Sequence, residues 1–353
     1  MSDDGASGSD GGGTGRSGSS GGGMGEDIQR VDAALREQFS WYVVAKKEFK
    51  DTVRSKLLWL LSAIFVIVFA LPAFLGLYFG LGQIAQQQGA TLTTDAFFGS
   101  AARLGSALIP LVAIVVGYAS IVGERKSGSL KVLLSLPFSR GDVVVGKVIG
   151  RSAVVAIPIL IGFLVSVAVL LPANVALNAV GFVLAALLTA LLGVVFVSLA
   201  VGISAAARTG RRAIVGTVGI YVYFFLFWNS FANSIGGLLG EYLNVTAGTA
   251  ATTSLFVKLV NPTQSYQTLV DAALGNSALT ARATMFQGLR IAGICEQALG
   301  GNVSMSQGAG ISCQSTGAGV PFYFSNVAVL VYFLLWIVVP VALGYRLFDG
   351  ADL

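Results

Sequence analysis

The sequence contains no histidine and only two cysteines, Cys295 and Cys313, among 353 residues. Without an imidazole the chain cannot build a Ser-His-Asp hydrolase, a H-E-x-x-H metalloprotease or a bis-histidine haem site. Two thiols alone are too few to hold a structural zinc ion or an iron–sulfur cluster. We therefore expect no enzyme activity, no catalytic residue, no metal site and no cofactor bound by this chain.

Charged residues are also scarce. They make up 11% of the chain, against 55% apolar residues, whereas soluble domains carry about a quarter charged residues. Six apolar segments approach or exceed the length of about 20 residues that crosses a bilayer. They run near 57–80, 104–122, 150–171, 179–204, 213–231 and 326–347. The predicted fold class is an all-α membrane protein with six transmembrane helices.

Lysine and arginine are distributed unevenly between the two sides of these segments. Eighteen lie on the side of the termini and four on the other, which by the positive-inside rule predicts a multi-pass protein of the cytoplasmic (plasma) membrane with both termini inside. In this scheme the chain divides into a disordered Ser/Gly/Asp-rich tail (1–25), a cytoplasmic or interfacial helix (26–56), spans one to five (57–231), an extracytoplasmic segment (232–325), and span six with a short tail (326–353).

Residues 41–54 have the periodicity of an amphipathic helix. Tyr42, Ala45, Phe49 and Val53 fall on one face, and most of the cations lie opposite. This pattern favours an interfacial helix on the inner leaflet. The alternative is an ordinary charged flank that fixes the topology.

The segment 232–325 contains helical stretches at 263–274 and 279–299, followed by a run rich in glycine and serine. Both cysteines lie here, on the predicted oxidising side, which favours a Cys295–Cys313 disulfide over two free thiols. Sequons at Asn244 and Asn302 leave glycosylation open. The simplest interpretation of the segment is a cap without a ligand of its own.

Gly141–Lys147 spells G-x-x-x-x-G-K, most of a phosphate-binding P-loop, but Val148 stands where Ser or Thr would bind Mg²⁺. Ser139 and Asp142 form a capping-box pattern that starts a helix at residue 140. The glycine and lysine would then lie inside this helix, without the free amides of a loop. The sequence therefore predicts no ATP site, and Gly146-x-x-x-Gly150 favours close helix packing.

The loop before this helix, "GERKSGSLKVLLSLPFSR", contains a short amphipathic helix with leucines at i, i+3 and i+4 (Leu130, Leu133 and Leu134). Ser127 or Ser129 can cap it, and Gly128 and Pro137 bound it. Such a helix suits docking into a groove on a partner. The alternative is an interfacial connector that only turns the chain.

This loop resembles the cytoplasmic signature of ABC-2 type transporter permeases, a family that includes NosY-like permeases. The family pattern is roughly E-R-x-x-G-[ST]-L-x-x-L-L-x-x-P-x-x-R-x-x-x-x-x-G-K. The matching positions are Glu124, Arg125, Gly128, Ser129, Leu130, Leu133, Leu134, Pro137, Arg140, Gly146 and Lys147. The resemblance extends over about 40–353 and includes the six spans. The outer segment is larger than in simpler members, so their cargo cannot be carried over.

The resemblance implies a permease subunit of an ABC transporter. Its loop 123–147 would form a coupling helix seated in a separate ATPase subunit, present in two copies, which binds ATP and Mg²⁺. A second permease half, identical or different, would complete the pathway. The bilayer is the remaining partner, and no nucleic-acid partner is implied.

The spans themselves support an external energy source, because no Asp, Glu or Lys lies in the middle of any predicted span. Ion-coupled transporters need such groups. Two other functions stay open: a membrane-anchored assembly or maturation factor acting through 232–325, and an uncoupled carrier or channel lined by the aromatic residues of span five.

Overall fold

The computed structural model describes residues 39–54, 56–78, 94–171, 178–274, 301–306, 310–315 and 321–350. The helices are α1 Ser40–Val53, α2 Lys56–Tyr78, α3 Thr94–Gly117, α4 Val122–Ser127, α5 Ser129–Leu134, α6 Arg140–Leu170, α7 Ala179–Ala206, α8 Gly210–Val222, α9 Trp228–Tyr242, α10 Ala247–Val260, α11 Pro262–Ala273 and α12 Asn326–Asp349. A π-helical turn, Tyr223–Phe227, joins α8 to α9, and a 3₁₀ turn, Phe322–Phe324, precedes α12.

Within the residues that the structure describes, six helices are long and apolar enough to cross a membrane, which agrees with the predicted number. The third begins at Arg140, ahead of the predicted residue 150, because Ser139 and Asp142 form the reciprocal capping box and start the helix there. The fifth runs from Gly210 to Tyr242 through the π turn, well past the predicted end at residue 231.

The central helix of the bundle is α7, which packs against α3, α6, α11 and α12. Small residues permit its close contacts. A Cβ added at Gly117 would lie 2.5 Å from the Ala200 Cβ, and one at Gly344 would lie 2.7 Å from the Gly202 Cα. In a bilayer, such close backbone approach gives the van der Waals contact that holds helices together.

The helices α10 and α11 belong to this bundle, although the sequence places them in an outer segment. Tyr266 of α11 is fully buried, and its hydroxyl lies 2.8 Å from the Thr189 hydroxyl of α7. Thr189 is about 15 Å along α7 from its first residue, at 1.5 Å per residue. The predicted helix at 263–274 is confirmed, but its position against the middle of α7 was not expected.

The turn between α10 and α11 places the last backbone carbonyls of α10 inside the bundle. Each of these carbonyls needs a hydrogen-bond donor there. Two of these donors are indole N–H groups. Trp228 Nε1 donates to Val257 O at 2.9 Å, and Trp336 Nε1 donates to Val260 O at 2.7 Å. The Leu259 carbonyl accepts from the Ser265 hydroxyl, and the Lys258 carbonyl accepts from the Asn261 amide. All four terminal carbonyls of α10 are thereby satisfied.

The π turn of the fifth span also takes part in this contact. Asn261 donates its side-chain amide to the Phe224 carbonyl at 2.9 Å, and its Oδ1 accepts from the Thr263 amide and hydroxyl. A π turn interrupts the regular hydrogen-bond ladder of a helix, and here Phe224 O receives a donor from another element. Side chains from the fifth and sixth spans thus fix the tip of the α10–α11 pair.

The described residues are helical throughout the bundle, as predicted, and a small hairpin is present in addition. β1 (Gly301–Ser306) pairs antiparallel with β2 (Gly310–Ser315), and Val303 lies opposite Cys313. Alternating polar residues and closely spaced glycines suit a small hairpin better than a helix. Residue 295, the tail 1–25 and the predicted helix 279–299 lie outside the described residues, so the Cys295–Cys313 disulfide stays a prediction.

Candidate functional site

A buried cluster of charges lies where the predicted coupling loop meets the membrane helices. Lys147 of α6 is fully buried, and its Nζ lies 2.5 Å from Glu48 Oε1 of α1 and 2.7 Å from Glu124 Oε1 of α4. Arg151, one turn further along α6, donates Nε to Glu48 Oε2 at 3.1 Å and a second N–H to the Val116 carbonyl of α3. The cluster therefore joins four helices.

Electrostatics keep Glu48 ionised. Burial alone would raise the pKa of its carboxyl group, but the positive charges of Lys147 and Arg151 outweigh this effect and hold the pKa below its ordinary 4.5. Removing one partner of such a pair leaves a buried charge uncompensated, which costs about 3–5 kcal/mol. The cluster is stable only when its members are present together.

Two glycines bring α1 close enough for these contacts. A Cβ at Gly146 would lie 2.6 Å from the Val44 Cβ, and a Cβ at Gly150 would lie 2.8 Å from the Ala45 carbonyl. This confirms that the G-x-x-x-G pattern serves helix packing, and Gly146 and Lys147 lie within α6 as predicted. Ala45 and Phe49 of the predicted apolar face of α1 pack inward, and the buried side also includes Val44 and Glu48. Val53 of the predicted face is exposed.

The short helix α4 is attached to the ends of two other helices. The backbone amides of Ile121 and Val122 donate to the Ser204 hydroxyl of α7 at 3.1 and 3.2 Å. Arg125 donates to the Ala207 carbonyl at 3.1 Å, and its guanidinium lies 5.6 Å from the centre of the Phe348 ring. These contacts fix α4 to the ends of α7 and α12.

Arg140 holds the end of α12 from the other side. It donates to the carbonyls of Phe348 and Asp349, both at 2.7 Å, and lies 5.4 Å from the centre of the Phe348 ring. A cation at a helix C-terminus interacts favourably with the helix dipole. Of the predicted coupling residues, both arginines therefore bind the chain's own backbone.

The helix α5 turns its apolar residues in two directions. Leu130 is only 1% exposed and belongs to the hydrophobic core, whereas Val132 and Leu136 are 68% and 50% exposed. Leu133 is partly buried against the core, and the Leu134 side chain lies outside the described residues. Leu130 and Leu133 of the predicted apolar edge therefore both pack inward, and the exposed apolar residues are others, Val132 and Leu136.

A glycine replaces the predicted serine cap. Gly128 separates α4 from α5 with φ 77°, a conformation that favours glycine, and it forms the N-cap of α5 without a side-chain hydrogen bond. Ser127 instead bonds to the Glu124 carbonyl, so neither serine caps α5. Pro137 follows the end of α5 and is exposed, as its helix-breaking role predicts.

The structure thus brings together the ends of the loop, and its middle projects outward. We define the exposed face of the loop as Lys126, Lys131, Val132, Ser135 and Leu136. Sequence reasoning missed four residues that hold the loop in place: Glu48, Arg151, Ser204 and Phe348. Only the unusual position of Glu48 among the cations of residues 46–54 could have indicated one of them.

The charge cluster predicts how the free energy of unfolding changes when one of its residues is replaced. We expect Lys147→Met to lower the free energy of unfolding by about 3–5 kcal/mol, because two carboxylates lose their shared partner. Glu48→Gln should lower the free energy of unfolding by a similar amount. The double variant Lys147→Met/Glu48→Gln should lose less stability than the sum of the two single losses, because the two residues interact directly. Unfolding temperatures in detergent would measure this, and strictly additive losses would contradict the cluster.

The same cluster predicts that the folded protein loses stability at acidic pH. A carboxyl with a lowered folded-state pKa contributes stability above its unfolded pKa, near 4.5 for Glu48, and this contribution is lost as the pH falls through the folded value. We expect Glu48→Gln to flatten the decline in unfolding temperature below about pH 4.5. An unchanged acid profile would show that Glu48 does not carry this dependence.

Comparisons with known proteins agree with this architecture. Residues 42–353 match the family described as ABC-2 family transporter protein. The chain is 31% identical over 194 residues to a protein of Pseudomonas aeruginosa named probable ABC transporter permease protein NosY, an alignment that includes 53% of this chain and 68% of the relative. A protein of the same name from Stutzerimonas stutzeri is 34% identical over 120 residues, which include 34% of this chain and 41% of that relative. The chain belongs to the ABC-2 family of transporter proteins.

Proposed function

We propose that this chain is the permease subunit of an ABC transporter that moves its cargo across the cytoplasmic membrane with energy from a separate ATPase. The observation that carries the proposal is the loop between the second and third spans. Its two ends are fixed by buried polar contacts, while its middle projects an exposed apolar and basic face. The family membership supports the same assignment.

The exposed face of the loop has the chemistry of a docking surface. Val132 and Leu136 offer apolar contact area, and Lys126 and Lys131 flank them with positive charge. A complementary groove on the ATPase would have an apolar floor and acidic residues at its rim. The inward position of Leu130 assigns this residue to support of α5 rather than to contact with the partner.

The contacts behind the loop would transmit movement to the membrane helices. Glu124 ties α4 through Lys147 to α1 and α6, and Ser204 ties α4 to α7. A displacement of α5 by the ATPase would therefore act on several helices together. A two-state change of the partner, closed with ATP and open without it, would bias the orientation of these helices.

ATP and Mg²⁺ belong to the partner in this proposal, because the P-loop-like Gly141–Lys147 is a helix packed against α1. Two ATPase copies and a second permease half complete the assembly. The charge bias predicts that both termini and the loop face the cytoplasm.

The first experiment is affinity purification of the tagged chain from its native membranes in mild detergent, with quantitative mass spectrometry. We expect a soluble subunit carrying G-x-x-x-x-G-K-[ST] to co-purify with the wild type. Val132→Asp should reduce its recovery about tenfold or more, equivalent to about 1.4 kcal/mol, because a carboxylate would enter an apolar contact beside an acidic rim.

Leu243→Asp is the matched control. It introduces the same charge at an apolar residue that is 66% exposed, beyond the end of the fifth span, and it should leave recovery unchanged. A chain that purifies without such a subunit, or a Val132→Asp variant that retains it fully, would reject the proposed coupling through this face. Leu130→Asp is unsuitable because it would bury a carboxylate.

A further inference from the structure

The turn between α9 and α10 contains the triplet Asn244-Val245-Thr246. An oligosaccharide can be attached to the side-chain amide of an asparagine when Ser or Thr stands two residues later and the residue between them is not proline. The attached group is bulky and hydrophilic, so the asparagine must lie at the surface of the protein, outside the cytoplasm. The position of Asn244 in the fold meets the first of these two requirements.

Asn244 lies at the exposed tip of the helical hairpin that α9 and α10 form. It is exposed together with Leu243 and Thr246, and its side-chain amide makes no hydrogen bond within the part of the chain that the structure describes. Its backbone φ of 49° lies in the left-handed region, which asparagine adopts more readily than most residues. The side-chain nitrogen of Asn244 is therefore accessible to an enzyme and to a sugar.

The two helices of this hairpin are closely packed, which gives its tip a defined position. Trp228 Nε1 donates to the Val257 carbonyl at the inner end of the contact. Nearer the tip, a Cβ added at Gly236 would lie 2.8 Å from the Ala250 carbonyl. Asn244 is about 24 Å from Trp228 along the direction of α9, at 1.5 Å per residue. The triplet thus lies well away from the indole contacts that join α10 to the bundle.

The fifth span is longer than a bilayer requires. Its 33 residues, Gly210–Tyr242, form about 50 Å of helix, whereas the hydrocarbon core is about 30 Å thick. Arg211 and Arg212 are exposed in its first turn, and arginines at the end of a span remain near the headgroups. The excess length therefore falls at the other end, where the tip projects about 15 Å beyond the hydrocarbon. The charge distribution predicts that this end is extracytoplasmic.

A second triplet, Asn261-Pro262-Thr263, has opposite properties. Proline at its middle position excludes it as an acceptor. Asn261 is also fully buried, and its side-chain amide donates to the Phe224 carbonyl. A third triplet begins at Asn302 in β1, and its side chains lie outside the described residues. Among the triplets whose side chains the structure describes, only the one at the hairpin tip has a suitable sequence and a suitable position.

We propose that Asn244 is N-glycosylated. The donor would be an oligosaccharide joined through a phosphate to a membrane lipid, and a separate membrane-bound glycosyltransferase would catalyse the transfer. Nδ2 of Asn244 forms a bond to C1 of the first sugar and loses one proton to a base. The bond between C1 and the phosphate oxygen breaks, and the lipid phosphate leaves with the electron pair. The glycan would cover Tyr242 and Leu243, which are 71% and 66% exposed. The site does not depend on the ATPase, so its test is separate from that of the proposed coupling.

Mass spectrometry of peptides from the tagged full chain, purified from its native membranes, tests this proposal. We expect the peptide that contains Asn244 to carry a covalently attached oligosaccharide, and Asn244→Gln should lose the whole added mass. Thr246 also caps α10 by accepting a hydrogen bond from the Thr249 amide. Thr246→Asn separates the two functions, because asparagine is a good helix cap but breaks the triplet. This variant should therefore fold and lose the glycan.

Thr246→Ser is the matched control, because serine preserves both the helix cap and the triplet. The glycan should remain on this variant. An unmodified Asn244 in wild-type chains from native membranes would overturn the proposal. An oligosaccharide found only on Asn302 would overturn it as well, and so would an added mass on Asn244 that the Thr246→Asn variant retains.

Discussion

The ammonium of Lys147 determines much of the arrangement around the loop. A charge removed from water is unstable unless opposite charges and hydrogen bonds surround it. Glu48 and Glu124 meet this requirement from two other helices, at 2.5 and 2.7 Å. Because the three residues are far apart in the sequence, their pairing fixes α1 and α4 against α6. The loop cannot leave this position while α6 keeps its place without exposing or isolating a charge.

Packing and charge depend on each other at this point. Glu48 reaches Lys147 because Gly146 and Gly150 allow the backbone of α1 to approach α6 closely. A larger residue at either glycine would move α1 away and lengthen the ion pair. Conversely, the ion pair holds an amphipathic helix against the bundle instead of leaving it to lie on the lipid surface. The family signature G-K thus combines two functions in adjacent residues, one steric and one electrostatic.

The sequence was sufficient to predict the helices whose signals are local. Apolar length identified the six spans, and the Ser139–Asp142 capping box located the start of α6. The sequence was not sufficient to predict the surroundings of a residue whose contacts come from distant parts of the chain. Lys147 resembles an ordinary charged flank until Glu48 and Glu124 are placed beside it. Leu130 and Val132 are both apolar, and only the tertiary contacts decide that one is buried and the other exposed.

The α10–α11 pair is a second case in which contacts between distant residues decide the structure. α10 is apolar but too short to be recognised as a span, and α11 is both short and more polar. Their polar groups are nevertheless satisfied in the bundle by Thr189, Phe224 and Trp336. Thr189 and Ser204 both belong to α7, about 22 Å apart at 1.5 Å per residue. One holds the α10–α11 pair and the other holds α4. A single, largely buried helix therefore contacts both the loop and the inserted pair, so the two depend on the same structural support.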